Sequence, residues 1–83
     1  MAYVTSVEKD DKRFVKSLHP TQLICTVVVG DNNGKRILQL NSYGSAEREH
    51  PAKLSQTLQF DENSARQLYE ALSKEFGFGE TNG

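Results

Sequence analysis

One segment, Glu62–Phe76, constrains the fold more than any other part of the sequence, because its apolar residues recur at the spacing of a helix. The stripe consists of Ala65, Leu68, Tyr69, Leu72 and Phe76. Asp61 stands where a carboxylate accepts hydrogen bonds from the first free N–H groups of a helix, and Gly77 is a natural C-terminal stop. The sequence therefore predicts one amphipathic helix, whose stripe packs on a sheet or on a partner helix.

The rest of the chain is rich in short segments that alternate between apolar and polar residues, which is the pattern of half-buried strands. Three such segments are residues 13–18, Lys35–Tyr43 and Leu54–Phe60, and residues 21–29, which are β-branched and apolar, are a fourth predicted strand. Between residues 21–29 and Lys35–Tyr43, the run Asp31-Asn32-Asn33-Gly34 predicts a hairpin turn, with Gly30 opposite Lys35. The order of elements predicts an α+β fold, an antiparallel four-stranded curved sheet followed by one C-terminal helix (ββββα).

Residues 13–77 are predicted to form this single domain, with residues 1–12 as an N-terminal arm or weak edge strand and residues 78–83 as a flexible tail. A chain of 83 residues buries only about 60% of the surface that its unfolded form exposes, so it needs further stabilisation. Cys25 is the one cysteine, and its apolar surroundings in the sequence predict a buried small side chain rather than a disulfide or a reactive thiol.

Metal stabilisation is not expected either, because His19 and His50 each precede a proline and lack companion ligands at zinc spacing. No metal and no cofactor is predicted. The remaining way to stabilise so small a domain is a partner subunit, so we expect a homodimer. The residues predicted for its interface are those of the helix stripe: Leu68, Tyr69, Leu72 and Phe76.

The charges are unevenly distributed along the chain. Residues 1–60 carry eight Lys and Arg against six Asp and Glu, whereas residues 61–83 carry two against five. No run approaches the about 18 apolar residues of a membrane span, and no signal peptide is evident at the N-terminus, so a cytoplasmic location is predicted. Phosphate-binding loops, nucleophile elbows and metal-ligand pairs are also missing from the sequence, which predicts a protein that is not an enzyme.

By strand parity, the outer sheet face gathers amides, hydroxyls and one aromatic ring, with cations at its rims. Amides and hydroxyls can bond to bases, rings can stack on them, and cations attract phosphates, so this composition suits a single nucleic-acid strand. The residues predicted to bind it are Lys35, Arg36, Gln39, Asn41, Tyr43, Arg48, Lys53, Thr57 and Gln59.

The order of motifs from residue 22 to residue 76 resembles that of the PC4-type single-stranded-DNA-binding transcriptional coactivator domain. In that family, a strand ending in aromatic residues is followed by a polar loop closing on Pro-Gly-Lys, a Ser-rich alternating strand and one helix. Here Lys35–Tyr43, the loop end Pro51-Ala52-Lys53, Leu54–Phe60 and Glu62–Phe76 follow the same order, although Ala52 replaces the glycine. The resemblance implies a homodimer in which helices pair and curved sheets bind nucleic acid.

The sequence thus predicts a non-catalytic, PC4-like module that binds single-stranded DNA or RNA and serves as a regulator of transcription or DNA metabolism. The alternative is a small protein-interaction module, a regulator or inhibitor that uses the sheet face or the sheet edge. The net charge of −1 and the acidic helix favour this alternative.

Overall fold

A computed structural model of the chain describes residues 1–44 and 54–78. Within them lie four strands, β1 (Ala2–Val4), β2 (Ile24–Asn32), β3 (Lys35–Tyr43) and β4 (Leu54–Phe60), followed by one helix, α1 (Glu62–Phe76). The strands form one sheet in the order β1-β4-β3-β2. The α+β class and the C-terminal helix are therefore confirmed.

The prediction of a fully antiparallel sheet is wrong, because β1 pairs parallel to β4 and the sheet is mixed. The strand predicted over residues 13–18 is absent, and that segment is irregular and exposed. Its place is taken by the three residues of β1, which lie beside the end of β4. Two hydrogen bonds hold this arm in position: the Tyr3 hydroxyl donates to the Asp61 carboxylate, and the Val7 N–H donates to Gln67 Oε1 at 2.8 Å.

The hairpin of β2 and β3 is tighter than predicted. Its turn is only Asn33-Gly34, with φ of 53° and 82°, and positive φ at both central residues is typical of a type I′ turn. Asn32 consequently pairs with Lys35, and Gly30 pairs with Ile37 rather than with Lys35. The register differs from the prediction by two residues, so every side chain stays on the predicted face of the sheet.

Alternation along the strands gives the sheet two distinct faces. One, the apolar face, carries Leu38 and Leu40 of β3, which lie opposite Phe60 and Leu58 of β4. On the same face β2 contributes Cys25, Val27 and Val29. The pairing of β3 with β4 is irregular beside Ser42, because Ser42 pairs with Gln56 whereas the next residue, Tyr43, pairs with Leu54 and Ser55 is skipped. The alternation of apolar and polar residues in the sequence is broken at the same place, at Gln56.

Helix α1 has the bounds that the sequence predicts, and its caps explain why. Asp61 Oδ1 accepts from the Ser64 N–H at 2.9 Å, and Ser64 Oγ accepts from the Asp61 N–H at 3.1 Å, which completes a capping box. At the other end, Gly77 adopts φ 75°, a left-handed conformation that favours glycine. The helix packs against β3 and β4, with Ser64 fully buried at its start.

The apolar face of the sheet is covered at one end of β4 and exposed further along the same strand. Phe60 is 5% exposed, whereas Leu58, two residues earlier on the same face, is 40% exposed. Among the side chains that the structure describes, Phe60 is the one apolar residue that is buried. Within the same ranges, no helix is long and apolar enough to cross a membrane.

Candidate nucleic-acid interface

The opposite face of the sheet carries a chain of hydrogen-bonded polar side chains, which we call the polar ladder: Gln59, Gln39, Asn41 and Thr57. Gln59 Nε2 donates to Gln39 Oε1 at 3.0 Å, and Gln39 Nε2 donates to Asn41 Oδ1 at 2.9 Å. Thr57 Oγ1 donates to the same Asn41 oxygen at 3.3 Å. The four side chains meet because Gln39 lies directly opposite Gln59, and Asn41 opposite Thr57, on neighbouring strands.

The ladder is held in place while keeping hydrogen-bonding capacity. Thr57 is buried, and the three amide residues are half-buried. Each amide has two N–H donors, of which the ladder uses one at Gln59 and one at Gln39. Side chains that are fixed by one another lose less conformational entropy when they bond to a ligand, so any ligand of this face would meet preorganised polar groups.

Two tyrosines flank the ladder on this polar face. Tyr43, predicted from the sequence, is half-buried and lies opposite Ile24 of β2. Tyr3 lies opposite Gln59 on β1, is exposed, and is held by its hydroxyl bond to Asp61. The sequence prediction did not include Tyr3. The signal for it was its place between Ala2 and Val4, in a segment that resembles an edge strand.

A groove of about 680 Å³ follows the polar face from Tyr3 to the hairpin turn. Its lining includes Tyr3, Gln59, Gln39, Ile37, Lys35 and Val28. Amide, aromatic and aliphatic groups therefore lie along one open surface, and the end near the turn carries both the Lys35 ammonium group and the Asp31 carboxylate.

The structure separates the two adjacent cations that the sequence groups together. Lys35 lines the groove of the polar face, although it also borders a recess near the start of the helix. Arg36, the next residue of β3, alternates to the apolar side, lines that recess, and lies 3.6 Å from an Asp31 oxygen. Predicted binding residues Arg48 and Lys53 lie outside the described residues.

The residues predicted for the dimer interface are unequally covered. Leu68 is half-buried, whereas Tyr69, Leu72 and Phe76 are exposed. The Phe76 ring stacks on Phe78, with ring centroids 5.5 Å apart. The stripe is therefore only partly used by the packing of α1 on the sheet.

The pKa values of Asp61 and Tyr3 are both shifted by the contacts at the helix cap. The Ser64 N–H that bonds to its carboxylate lowers the pKa of Asp61, and the Tyr3 hydroxyl lowers it further. The same contact with Asp61 raises the pKa of Tyr3. Both shifts follow from the helix cap and the position of the arm. Across residues 1–44 and 54–78, no group of three or more His, Cys, Asp or Glu side chains could hold a metal ion.

Comparisons of the chain with protein-family models, with curated proteins and with solved structures find no match. The resemblance to the PC4-type domain is therefore an expectation from the sequence alone. What the chain does has to be argued from its own residues.

Proposed function

We propose that this protein is a non-catalytic module that binds single-stranded nucleic acid along the polar face of its sheet. The observation that carries the proposal is the polar ladder, a row of bonded amides and a hydroxyl flanked by Tyr3 and Tyr43. Unpaired bases have free ring faces, which stack on aromatic side chains, and free edges, which form hydrogen bonds with amide groups.

Each part of the face has a role in this proposal. The amides of Gln39, Asn41 and Gln59 donate to base edges or sugar oxygens, and the tyrosine rings stack on bases. Base–aromatic stacking contributes about 1–3 kcal/mol per base and tolerates any sequence, since every base has a ring face. Lys35 attracts the phosphate backbone at the end of the groove near the turn.

The adjacent residues Lys35 and Arg36 provide a matched test of this proposal. Both are exposed cations on β3, but they lie on opposite faces of the sheet. We expect Lys35→Glu to weaken binding of a labelled single strand and to lower the log–log salt slope by about 0.7, the contribution of one phosphate contact. Arg36→Glu should have a smaller effect on both.

The measurement is fluorescence anisotropy with a labelled oligothymidylate of about 20 nucleotides, long enough to cover one sheet. A mixed-sequence RNA and a duplex serve as comparisons, and circular dichroism checks that each variant is folded. Absence of salt-sensitive binding to single strands would refute the proposal. Equal effects of the two substitutions would show that the polar face is not the binding surface.

The alternative, a protein-interaction module, is favoured by one observation of the structure. Apolar side chains of β2 are exposed on both faces of the sheet, among them Ile24 and Val27. Such a strand is a surface for another polypeptide rather than for nucleic acid. Retention of one protein from a nuclease-treated lysate, without any oligonucleotide binding, would favour this alternative.

A further inference from the structure

The part of the chain that the structure describes leaves many large apolar side chains exposed for so small a protein. Exposed apolar surface of this extent marks a site that another molecule covers.

Strand β2 is where the uncovered apolar surface is most concentrated. Ile24 is 70% exposed on the polar face, and Val27 is 61% exposed on the apolar face. The Cys25 thiol, predicted to be buried, is exposed as well. A near-continuous apolar run such as Ile24–Gly30 is typical of strands that are covered on both faces, and the residues that the structure describes do not supply this cover.

β2 is also an edge strand, because it pairs with β3 on one side and with no described strand on the other. Its nine residues carry no charge between Ile24 and Gly30 and contain no proline. Natural proteins normally protect an open edge of this length with charges, prolines or bulges. The opposite edge of the sheet, β1, has only three residues.

The tight turn determines which backbone groups of β2 face that open edge. A β-turn closes with a bond between its flanking residues, so Asn32 and Lys35 form a hydrogen-bonded pair. Hydrogen-bonded pairs alternate along antiparallel strands, so Gly30, Val28 and Thr26 also bond to β3. Val27 and its neighbours two residues away direct their N–H and C=O groups outward.

We propose that a second copy of this chain adds its β2 to that edge, antiparallel and centred on Val27. This register pairs Val27 with itself and places Cys25 opposite Val29 on the apolar face, and it places Thr26 opposite Val28 on the polar face. The two Asp31 carboxylates then lie at opposite ends of the pair, about 27 Å apart along the strands. The sheet becomes eight-stranded, and its outer edges are the short β1 strands, so a closed dimer forms rather than a filament.

The proposed interface lies on the edge strand β2, so it differs from the helix pairing that the sequence implied. It does not depend on nucleic-acid binding.

Proline at position 27 tests the pairing with little change to the subunit. It removes the outward N–H of Val27, and proline is tolerated where a strand's N–H faces away from its own sheet. We expect sedimentation equilibrium to give twice the 9.3 kDa chain mass for the natural protein and for Val27→Ile, and a single-chain mass for Val27→Pro. Circular dichroism reports whether the released chain also loses its helix.

Two results would overturn the proposal. A single-chain mass for the natural protein would mean that no second copy covers β2. A dimer that survives Val27→Pro but dissociates on Leu72→Lys would place the contact on the helix instead.

A cross-linking experiment keeps the proposal testable if the proline variant unfolds. In a Cys25→Ser background, Val27→Cys should be joined between copies by a short bis-maleimide, whereas Asp31→Cys should not. Efficient joining through position 31, or none through position 27, contradicts the register.

Discussion

Phe60 is the residue on which the stability of this fold most depends, so Phe60→Ala is the most informative perturbation of the core. The side chain is 5% exposed at the point where β4 leads into the helix. Removing a buried phenylalanine side chain lowers the free energy of unfolding by about 3–5 kcal/mol. A chain of 83 residues has a total free energy of unfolding of only about 4–12 kcal/mol, so the variant should lose a large part of its stability.

Leu58→Ala is the matched control, because Leu58 lies on the same face of the same strand but is 40% exposed. Loss of three methylene equivalents at about 0.8 kcal/mol each, scaled by the covered fraction, amounts to about 1.4 kcal/mol. Urea unfolding followed at 222 nm should show the midpoint falling by more than about 1 M for Phe60→Ala and by less than half as much for Leu58→Ala. Equal shifts would refute the inference that cover of the apolar face ends between these two residues.

Two further predictions concern the helix cap and the hairpin turn. The folded-state pKa of Asp61 is lowered, so its contribution to stability is present above the unfolded-state pKa of about 3.9 and is lost as pH falls through the folded-state value. Asp61→Asn, which retains a capping oxygen, should therefore lessen the decline of the urea midpoint below about pH 4, and an unchanged decline would exclude Asp61 as its source. Gly34→Ala should lower the free energy of unfolding by about 1 kcal/mol because Gly34 has φ of 82°. Gly30→Ala is its control, since Gly30 has no positive φ and open space for a methyl group, and an equal loss in thermal unfolding would show that backbone conformation is not the cause.

Local signals were sufficient to predict the helix and the hairpin. Asp61, the apolar stripe and Gly77 determine the bounds of α1 through contacts within a few residues. The hairpin follows from the Asn33-Gly34 turn, although the turn-forming run extends over four residues and its length alone did not reveal that Asn32 pairs with Lys35. A register error of two residues left the faces correct because side chains alternate with a period of two.

The edge strand could not be predicted in the same way. Residues 13–18 alternate as well as residues 2–4 do, and propensity does not distinguish them. What selects β1 is contact with residues more than fifty positions away, through parallel pairing with β4 and the Tyr3–Asp61 and Val7–Gln67 bonds. Tertiary contacts of this kind override local preference.

Only those residues of the candidate site that lie on predicted strands could be predicted from the sequence. Parity alone brought Gln39, Asn41, Thr57 and Gln59 to one face, and the structure shows them bonded to one another. The same alternation separates the two adjacent cations, because Lys35 lines the groove of the polar face whereas Arg36 lies on the other side of the sheet. Tyr3 joins the site only because β1 lies beside β4.

The two proposals have a joint geometric consequence. Pairing centred on Val27 is an even register, so the polar faces of both subunits lie on the same side of the eight-stranded sheet. From β3 of one copy to β3 of the other there are three strand spacings, about 14 Å, and the two-fold axis makes the polar ladders run in opposite directions. One long single strand that turns back on itself can then contact both ladders, the second at a high effective concentration, whereas a short strand occupies only one. Together, the two proposals therefore predict that dimerisation increases the affinity for long strands without any change in the contacts of a single site.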